Sequence, residues 1–500
     1  MGQQFKVDLS NAVDPLVLAI DVGSTATRGC LYDATGTPVG TRHKVPHYFT
    51  NRADGTVVID GNQVVDEIAE VLTSLAVSGL AGRIKAVALD TFASSLVAVD
   101  ADGRALTPAI TYADSRCGSY VDVLRERVDE HETHQRTGTR LHASYLPARL
   151  VWLKSEQPAV FERAATFLSL GEFVLQRLLG TTAAGVSTAA WTGLLDRHTG
   201  DWDEPMLAAS GIDRGQLSPV VEATAPLYPQ TATIASRWPA LEGVPWFPPV
   251  SDGYAANLGS GATDDRLMVA TMATSGALRV LVEGAPSPVP DGLWAYRVSA
   301  DQSLLGGAVN DVGRMISWLR STLALPSASA VTRQLLAVPT EPAPTVLPFL
   351  TGERAIGWRS DARATFGGVA AQTTAMQLYR GGLEGVVISY ARVFEQLSTV
   401  AGAVQEVRVN GSQTLDNPGL LQMMADVLGR PVTPVGIKRS TLRGTALVAL
   451  QVVAPDVERA GVVFDEAYEP REVLRPYYEA ARARWDRLYD EVVVGGAAGA

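Results

Sequence analysis

Residues Val17-Leu-Ala-Ile-Asp-Val-Gly-Ser-Thr-Ala-Thr-Arg-Gly-Cys-Leu-Tyr32 form an apolar run that ends on an acid and then opens into small hydroxylated side chains. The pattern predicts a strand that stops at Asp21, a tight turn allowed by Gly23, and a return strand over Gly29-Cys-Leu-Tyr32. Ser24, Thr25 and Thr27 would supply short donors at the tip, which suits a nucleotide's phosphates. About half a chain later, Met268–Met272 runs into Ala273-Thr-Ser-Gly-Ala277 and then into Leu278–Val282, again strand, small turn, strand. One such hairpin alone is more often a plain structural turn. Two suggest related lobes, each presenting a phosphate-binding turn to a shared cleft.

The elements needed to position these turns are legible. Ile84–Asp90 and Ser95–Asp100 read as further strands, the second turning at Asp102-Gly103. Gln63–Ala76 has helical spacing at Val65, Ile68, Val71, Leu72 and Leu75 and would cover the sheet, giving an α/β class. Met376–Leu397 predicts a long amphipathic helix. Gly381 and Gly382 inside it each cost roughly 1 kcal/mol of helix propensity, so a close neighbour is expected there. Another helix should begin at Asn417-Pro418, with the Asn as cap, and stop at Gly429. Pro-rich stretches at Pro226–Pro249 and Ala285–Pro290 break the middle of the chain, and the first marks the expected lobe boundary. The resulting division is an N-terminal lobe over 14–245, a C-terminal lobe over 246–488 and a disordered tail over 489–500, ending in Gly495-Gly-Ala-Ala-Gly-Ala500.

With 500 residues, 46% of them hydrophobic, the chain can bury two cores. Its net charge of -11, without a compensating basic block, argues against nucleic acid or an anionic membrane as partner and for a small ligand. No apolar run approaches the ~20 residues of a membrane span, and the N-terminus lacks a signal-peptide core, so a cytoplasmic protein is expected. The two cysteines offer no metal or disulfide framework, and the six histidines show no ligand spacing.

Further motifs match in order. Pro249-Val-Ser-Asp-Gly-Tyr-Ala-Ala-Asn-Leu-Gly-Ser-Gly261 precedes the second hairpin, and Leu350-Thr-Gly-Glu-Arg-Ala-Ile-Gly-Trp358 follows it. Then come Ala364-Thr-Phe-Gly-Gly-Val369, Gln377-Leu378, Gly381-Gly-Leu-Glu384 and Gln422–Gly429. From about Leu16 to about Leu450 the chain resembles the FGGY carbohydrate kinases, which implies two actin-like, ribonuclease-H-like lobes with a nucleotide and sugar cleft between them. The resemblance implies ATP and Mg²⁺ as cofactors, a small sugar or sugar acid as the other partner, and leaves room for a homodimer.

Phosphoryl transfer to a hydroxyl needs a base, a cation on the phosphates and donors for the moving group. By the resemblance Asp252 is the base, although an Asp-Gly pair at a strand-to-helix junction is also an ordinary cap. Asp21 would hold Mg²⁺, which prefers carboxylate and water oxygens. Thr274, Ser275 and Gly276 would contact the β- and γ-phosphates, with Ser24, Thr25 and Thr27 opposite. Gly411 and Ser412 would take the adenosine, in a turn that departs from the family's paired glycines. Gly313 is a further candidate on that side or a helix-packing glycine.

Acceptor candidates are Ser94, Ser95, Asp114, Arg116, His142 and Tyr145, and Thr137–Tyr145 looks most like the gluconate kinases of the family. A gluconate carboxylate would favour a bidentate arginine such as Arg116 or Arg140, while Arg116 could equally pair with Asp114. Ser94 stands where gluconate and xylulose kinases place a histidine, and Arg149 where the family has lysine. Gluconate is therefore the first substrate expected and xylulose, ribulose or another polyol the alternative. Glycerol kinases match the pocket segments less well, and a non-catalytic nucleotide- and sugar-binding sensor is the rival from another class.

Overall fold

A computed structural model of the chain describes residues 6–413, 417–436 and 440–495. The first hairpin forms as expected from β1 (Leu16–Val22) and β2 (Ala26–Tyr32), and β3 (Pro38–Pro46) continues it antiparallel. β4 (Ile84–Thr91) joins β1 in parallel, and β5 (Val250–Ser251) joins β4 in parallel. The sheet order is thus β5-β4-β1-β2-β3. β1 is buried along its whole length, as an apolar strand covered on both faces must be.

The second lobe repeats the plan. β6 (Leu267–Met272), β7 (Gly276–Glu283), β8 (Trp294–Arg297) and β9 (Gln302–Val309) form an antiparallel group in the order β8-β9-β7-β6. β10 (Glu406–Asn410) and β11 (Val432–Pro434) extend it beyond β6 in parallel. Two sheets of one topology in one chain are the structural form of the two similar hairpins.

Helix α1 (Gly61–Leu75) covers the first sheet through Val64, Ile68, Val71 and Leu72, and Asp60 caps it by accepting from Asn62 N–H. The sheet's other face is closed by a distant segment. α2 (Asp252–Gly259) follows β5, and α5 (Ser440–Val453) crosses it and lays Leu442, Ala446, Ala449 and Leu450 on Val17, Ala19, Ala86 and Ala88. The crossing is tight because it runs over glycines: a Cβ on Gly444 would lie 1.8 Å from the Ala255 carbonyl oxygen, and one on Gly259 1.7 Å from that of Ser440. Gly444→Ala therefore forces two backbones apart. An expected loss of about 1–3 kcal/mol follows, read as a lowered urea midpoint with unchanged slope.

α3 (Ala375–Leu397) backs the second sheet and opens with a capping box between Thr374 and Gln377. The expected close neighbours are there: a Cβ on Gly381 would meet the Pro344 carbonyl oxygen at 2.2 Å, and one on Gly382 the Leu319 side chain at 2.3 Å. α4 (Pro418–Leu428) ends at left-handed Gly429 as read. Asn417 stands at its N-cap position before Pro418 as read, but its side chain makes no cap bond, because its amide donates to the Gln413 carbonyl at 2.9 Å and its oxygen accepts from Arg320 at 2.8 Å.

Three expectations change. Val97–Val99 is the only part of the Ser95–Asp100 stretch that forms a strand, and it pairs with Thr166–Leu168 outside the main sheet. The Pro226–Pro249 stretch is no linker: Trp246 and Phe247 are buried, and Val87 exchanges backbone hydrogen bonds with Pro245 and Phe247, so it packs on the first lobe. That, together with β5 in the first sheet, carries the first lobe past residue 245. The tail does not loosen at 489, because Asp490–Val494 continue the helix Arg475–Tyr489 as a π-helical turn with Val493 buried. Residues 496–500 lie outside the described residues.

Candidate active site

Sheet register assembles the acids. Asp21 on β1 stands opposite Asp90 on β4, Val250 opposite Asp90, and Ser251 opposite Thr91, so Asp252 follows immediately where β5 ends. Three parallel strands thus bring three carboxylates to one end of the sheet. Asp90 is fully buried; its Oδ2 accepts from the Thr445 hydroxyl, and its carboxyl shares a hydrogen bond with that of Asp21. Burial and the Asp21 charge push Asp90 well above the usual carboxylate range, and burial raises Asp21 against the pull of Arg28. Arg28 donates to Asp21 Oδ2 at 3.3 Å and to the Thr25 hydroxyl at 2.8 Å, which braces the first hairpin's tip.

Asp252 opens α2. Its carboxyl is pushed up to about 6, mainly by burial, with Asp21 adding to the rise and Arg279 and the Gly253 N–H opposing it. Arg279 reaches it from β7 and is itself held by donating to the Thr271 hydroxyl at 2.9 Å. A base with this value is ionised at neutral pH and still basic enough to accept a proton. The rate at low substrate should therefore fall about tenfold per pH unit below about 6, with the slope of one ionisation, in a pH profile of kcat/KM.

Across the cleft, Thr274, Ser275 and Gly276 form the tip of the β6–β7 hairpin. Gly276 admits no side chain, since a Cβ there would lie 1.8 Å from the Tyr390 hydroxyl, which donates to the Thr271 carbonyl at 2.6 Å. Gly313 N–H donates to the Ala273 carbonyl at 2.8 Å, and Arg314 N–H to that of Thr274 at 3.1 Å, so the helix starting at Gly313 buttresses this tip. Gly411 lies against Met272 with φ 111°, a left-handed conformation that favours glycine. Ser412 is exposed beside it, and 414–416 lie outside the described residues.

Between the two tips runs a cavity of about 990 Å³ that Ser24, Thr274, Ser275, Gly276, Asp114 and His142 line. The other expected site residues are placed elsewhere. Thr25 is exposed and holds Arg28, while Thr27 is fully buried and donates to Glu67 at 2.7 Å, so Thr27 does not reach the cleft. Ser94 is buried in a left-handed conformation, its hydroxyl on the Trp191 carbonyl and its own carbonyl on Arg149. Ser95 accepts from Leu170 N–H at 2.9 Å and is 1% exposed, a structural role.

Asp114 and Arg116 satisfy one another: Arg116 Nε and Nη2 donate to the carboxylate at 3.0 and 2.8 Å, and the guanidinium stacks 4.4 Å over Trp152. Arg140 pairs with Glu130 at 3.1 Å. Tyr145 is buried, with its hydroxyl 2.6 Å from that of Tyr296 across the lobes. His142 lies edge-on to Trp358; burial, reinforced by Arg354 and Arg149, lowers it to about 3 and keeps the ring neutral. Its Nδ1 accepts from Ser144 N–H at 3.1 Å.

Sequence reading missed Asp90, Arg28, Arg279 and Tyr112. The signal for Asp90 was present: an acid at the end of a buried strand parallel to the one that ends in Asp21. The others depend on which face of a hairpin meets the cleft.

Two lobes of one topology, acids at the end of one sheet and small-residue turns facing them across a cavity define a cleft built for phosphoryl transfer. The chain belongs to the FGGY family of carbohydrate kinases, whose N-terminal domain matches residues 16–259 and C-terminal domain residues 268–452. It is therefore an ATP-dependent sugar phosphotransferase. A gluconokinase from Bacillus subtilis (strain 168) is 25% identical over 447 residues, 87% of either chain. A glycerol kinase from Geobacter sp. (strain M21) is 27% identical over 476 residues, 91% of this chain and 94% of its own. The crystal structure of a gluconate kinase from Lactobacillus acidophilus superposes with a TM-score of 0.89 at 24% identity, covering 95% of this chain and 98% of that one. A xylulose kinase from the same organism gives a TM-score of 0.88 at 24% identity over the same shares, so the fold is shared across substrates.

Proposed function

We propose that the chain transfers the γ-phosphate of ATP to a terminal hydroxyl of an open-chain sugar acid, gluconate, with Asp252 as base. The observation that carries the reaction is the Asp252 carboxyl, raised to about 6 and close enough to Tyr112 on the cavity wall for its charge to be felt there. As the acceptor oxygen bonds to the γ-phosphorus, its proton passes to Asp252 and the bond from that phosphorus to the departing ADP oxygen breaks. The tips at Ser24 and at Thr274–Gly276 supply donors from opposite lobes, so closure would complete the site and exclude water.

The site fits Mg²⁺ at Asp21, which would offer it a carboxylate oxygen, directly or through water, with phosphate and water oxygens completing its shell. When bound it would neutralise phosphate charge.

For gluconate, support comes from the similarity to gluconokinases and from a cavity walled by charged side chains. A neutral ketose or polyol such as xylulose is the second reading, favoured by the capture of Arg116 by Asp114 and of Arg140 by Glu130. A coupled ATP-to-ADP assay over aldonates, ketoses and polyols decides between them. Turnover on gluconate at least tenfold above the rest is the expected result, and preference for a neutral sugar would sink the gluconate reading.

A further inference from the structure

Five arginines line the cavity, and four of them are already matched. Arg125 pairs with Asp122 and Glu130, Arg140 with Glu130, Arg314 with Asp311 and Arg359 with Asp361. Among the described residues the fifth, Arg354, makes no ion pair; its guanidinium hydrogen-bonds the Tyr145 hydroxyl, and its Nε is buried without a hydrogen-bond partner. Arg354 is half-buried, so its guanidinium keeps part of its hydration while lacking a counter-charge of its own. The neighbouring acid in the chain cannot serve it: Glu353 is taken by Arg392 at 2.8 Å and by the Tyr489 hydroxyl.

What surrounds Arg354 is neutral and rigid. Its guanidinium lies 5.9 Å from the Trp358 ring centroid and bears on His142, Tyr145, Tyr296 and Tyr112. None of these supplies a negative charge. Tyr112 is also within reach of the Asp252 charge, so the same cavity wall connects the base to this cation. Arg28 is held by Asp21 and the Thr25 hydroxyl at the first hairpin's tip, and the Arg314 side chain by Asp311 and the Thr351 hydroxyl.

Resting on the gluconate reading above, we infer that Arg354 is the specificity-determining residue that receives the substrate's carboxylate and so separates a sugar acid from the neutral polyol of equal length. A planar guanidinium donates to a carboxylate through two parallel N–H bonds, and an alcohol in that place brings no charge to meet it. This corrects the expectation that Arg116 or Arg140 would serve.

The test compares D-gluconate with D-glucitol, which lacks only the carboxylate, by calorimetric titration of the wild-type chain, Arg354→Gln and Arg354→Lys, together with the KM for ATP. The wild type should bind gluconate at least tenfold more tightly than glucitol. Arg354→Gln should bind the two within twofold of each other, with the KM for ATP changed less than twofold. Arg354→Lys, which keeps charge but not the planar fork, should reduce the preference by threefold or more, and it carries the comparison if the Gln variant melts early. If the wild type prefers gluconate and both variants keep that preference, the role of Arg354 is overturned while the gluconate reading stands. A wild type that favours glucitol overturns the gluconate reading and the inference with it. A rise confined to the KM for ATP shows that the anion is a phosphate, which also overturns it.

Discussion

Asp252→Asn should retain nucleotide binding and lose turnover by about 10²–10⁴-fold, the range that a positioned base contributes. The substitution preserves shape and removes only the ability to take a proton from the acceptor hydroxyl. Its fold should not suffer. Asp252 has a folded pKa above its unfolded value, so its contribution to stability is present at low pH and is lost as pH rises through about 6. At pH 8 the ionised, buried side chain is a liability that asparagine relieves, and the variant should melt at or above the wild-type temperature. Coupled turnover, an ADP titration and a melting curve on one preparation separate the outcomes. A variant that keeps more than a tenth of the wild-type kcat would remove Asp252 from the role of base.

The second large effect is expected at Gly276→Ala. The new methyl group would sit 1.8 Å from the Tyr390 hydroxyl and 2.6 Å from the Thr271 carbonyl, so the hairpin tip must shift. On the phosphate-binding role proposed for Thr274 and Ser275, that shift would carry their donors out of reach, since such donors act only within a fraction of an ångström. A rise of tenfold or more in the KM for ATP and a loss of roughly 1–3 kcal/mol of stability are expected. Because one of the two obstacles is a side-chain hydroxyl, Gly276→Ala combined with Tyr390→Phe should recover part of the stability but not all of it. Full recovery would assign the whole effect to Tyr390, and no recovery would place it in the backbone.

Local chemistry made both hairpins legible. The apolar run ending on Asp21, and the Thr274–Gly276 turn, depend on residues within a few positions of one another, and α1 and α3 follow from spacings of three and four. The tight packing at Gly381 was legible for the same reason, since a helix tolerates two glycines only under a close neighbour. Hydroxyl-bearing residues were harder to assign. Thr27, Ser94 and Ser95 have the composition of a binding turn, yet Thr27 serves Glu67, Ser94 the Trp191 carbonyl and Ser95 the Leu170 N–H. A hydroxyl suits a ligand or a backbone group equally well, and only the neighbours decide.

By itself, then, the sequence determined the two hairpins and the helices behind them, because strand, turn and helix are set by short-range periodicity and backbone freedom, and its ordered motifs carried the resemblance to the family. The tertiary structure alone decided which charges are left over. Asp90 gains its partners from residues 69 positions earlier and 355 later, through sheet register with Asp21 and the Thr445 hydroxyl. Arg116 and Arg140 are spent on carboxylates, while Arg354 is left with none among the described residues. Such matching depends on contacts between elements far apart in the chain. Residue type and spacing carry no record of it, because a charged side chain is defined by what the fold sets beside it.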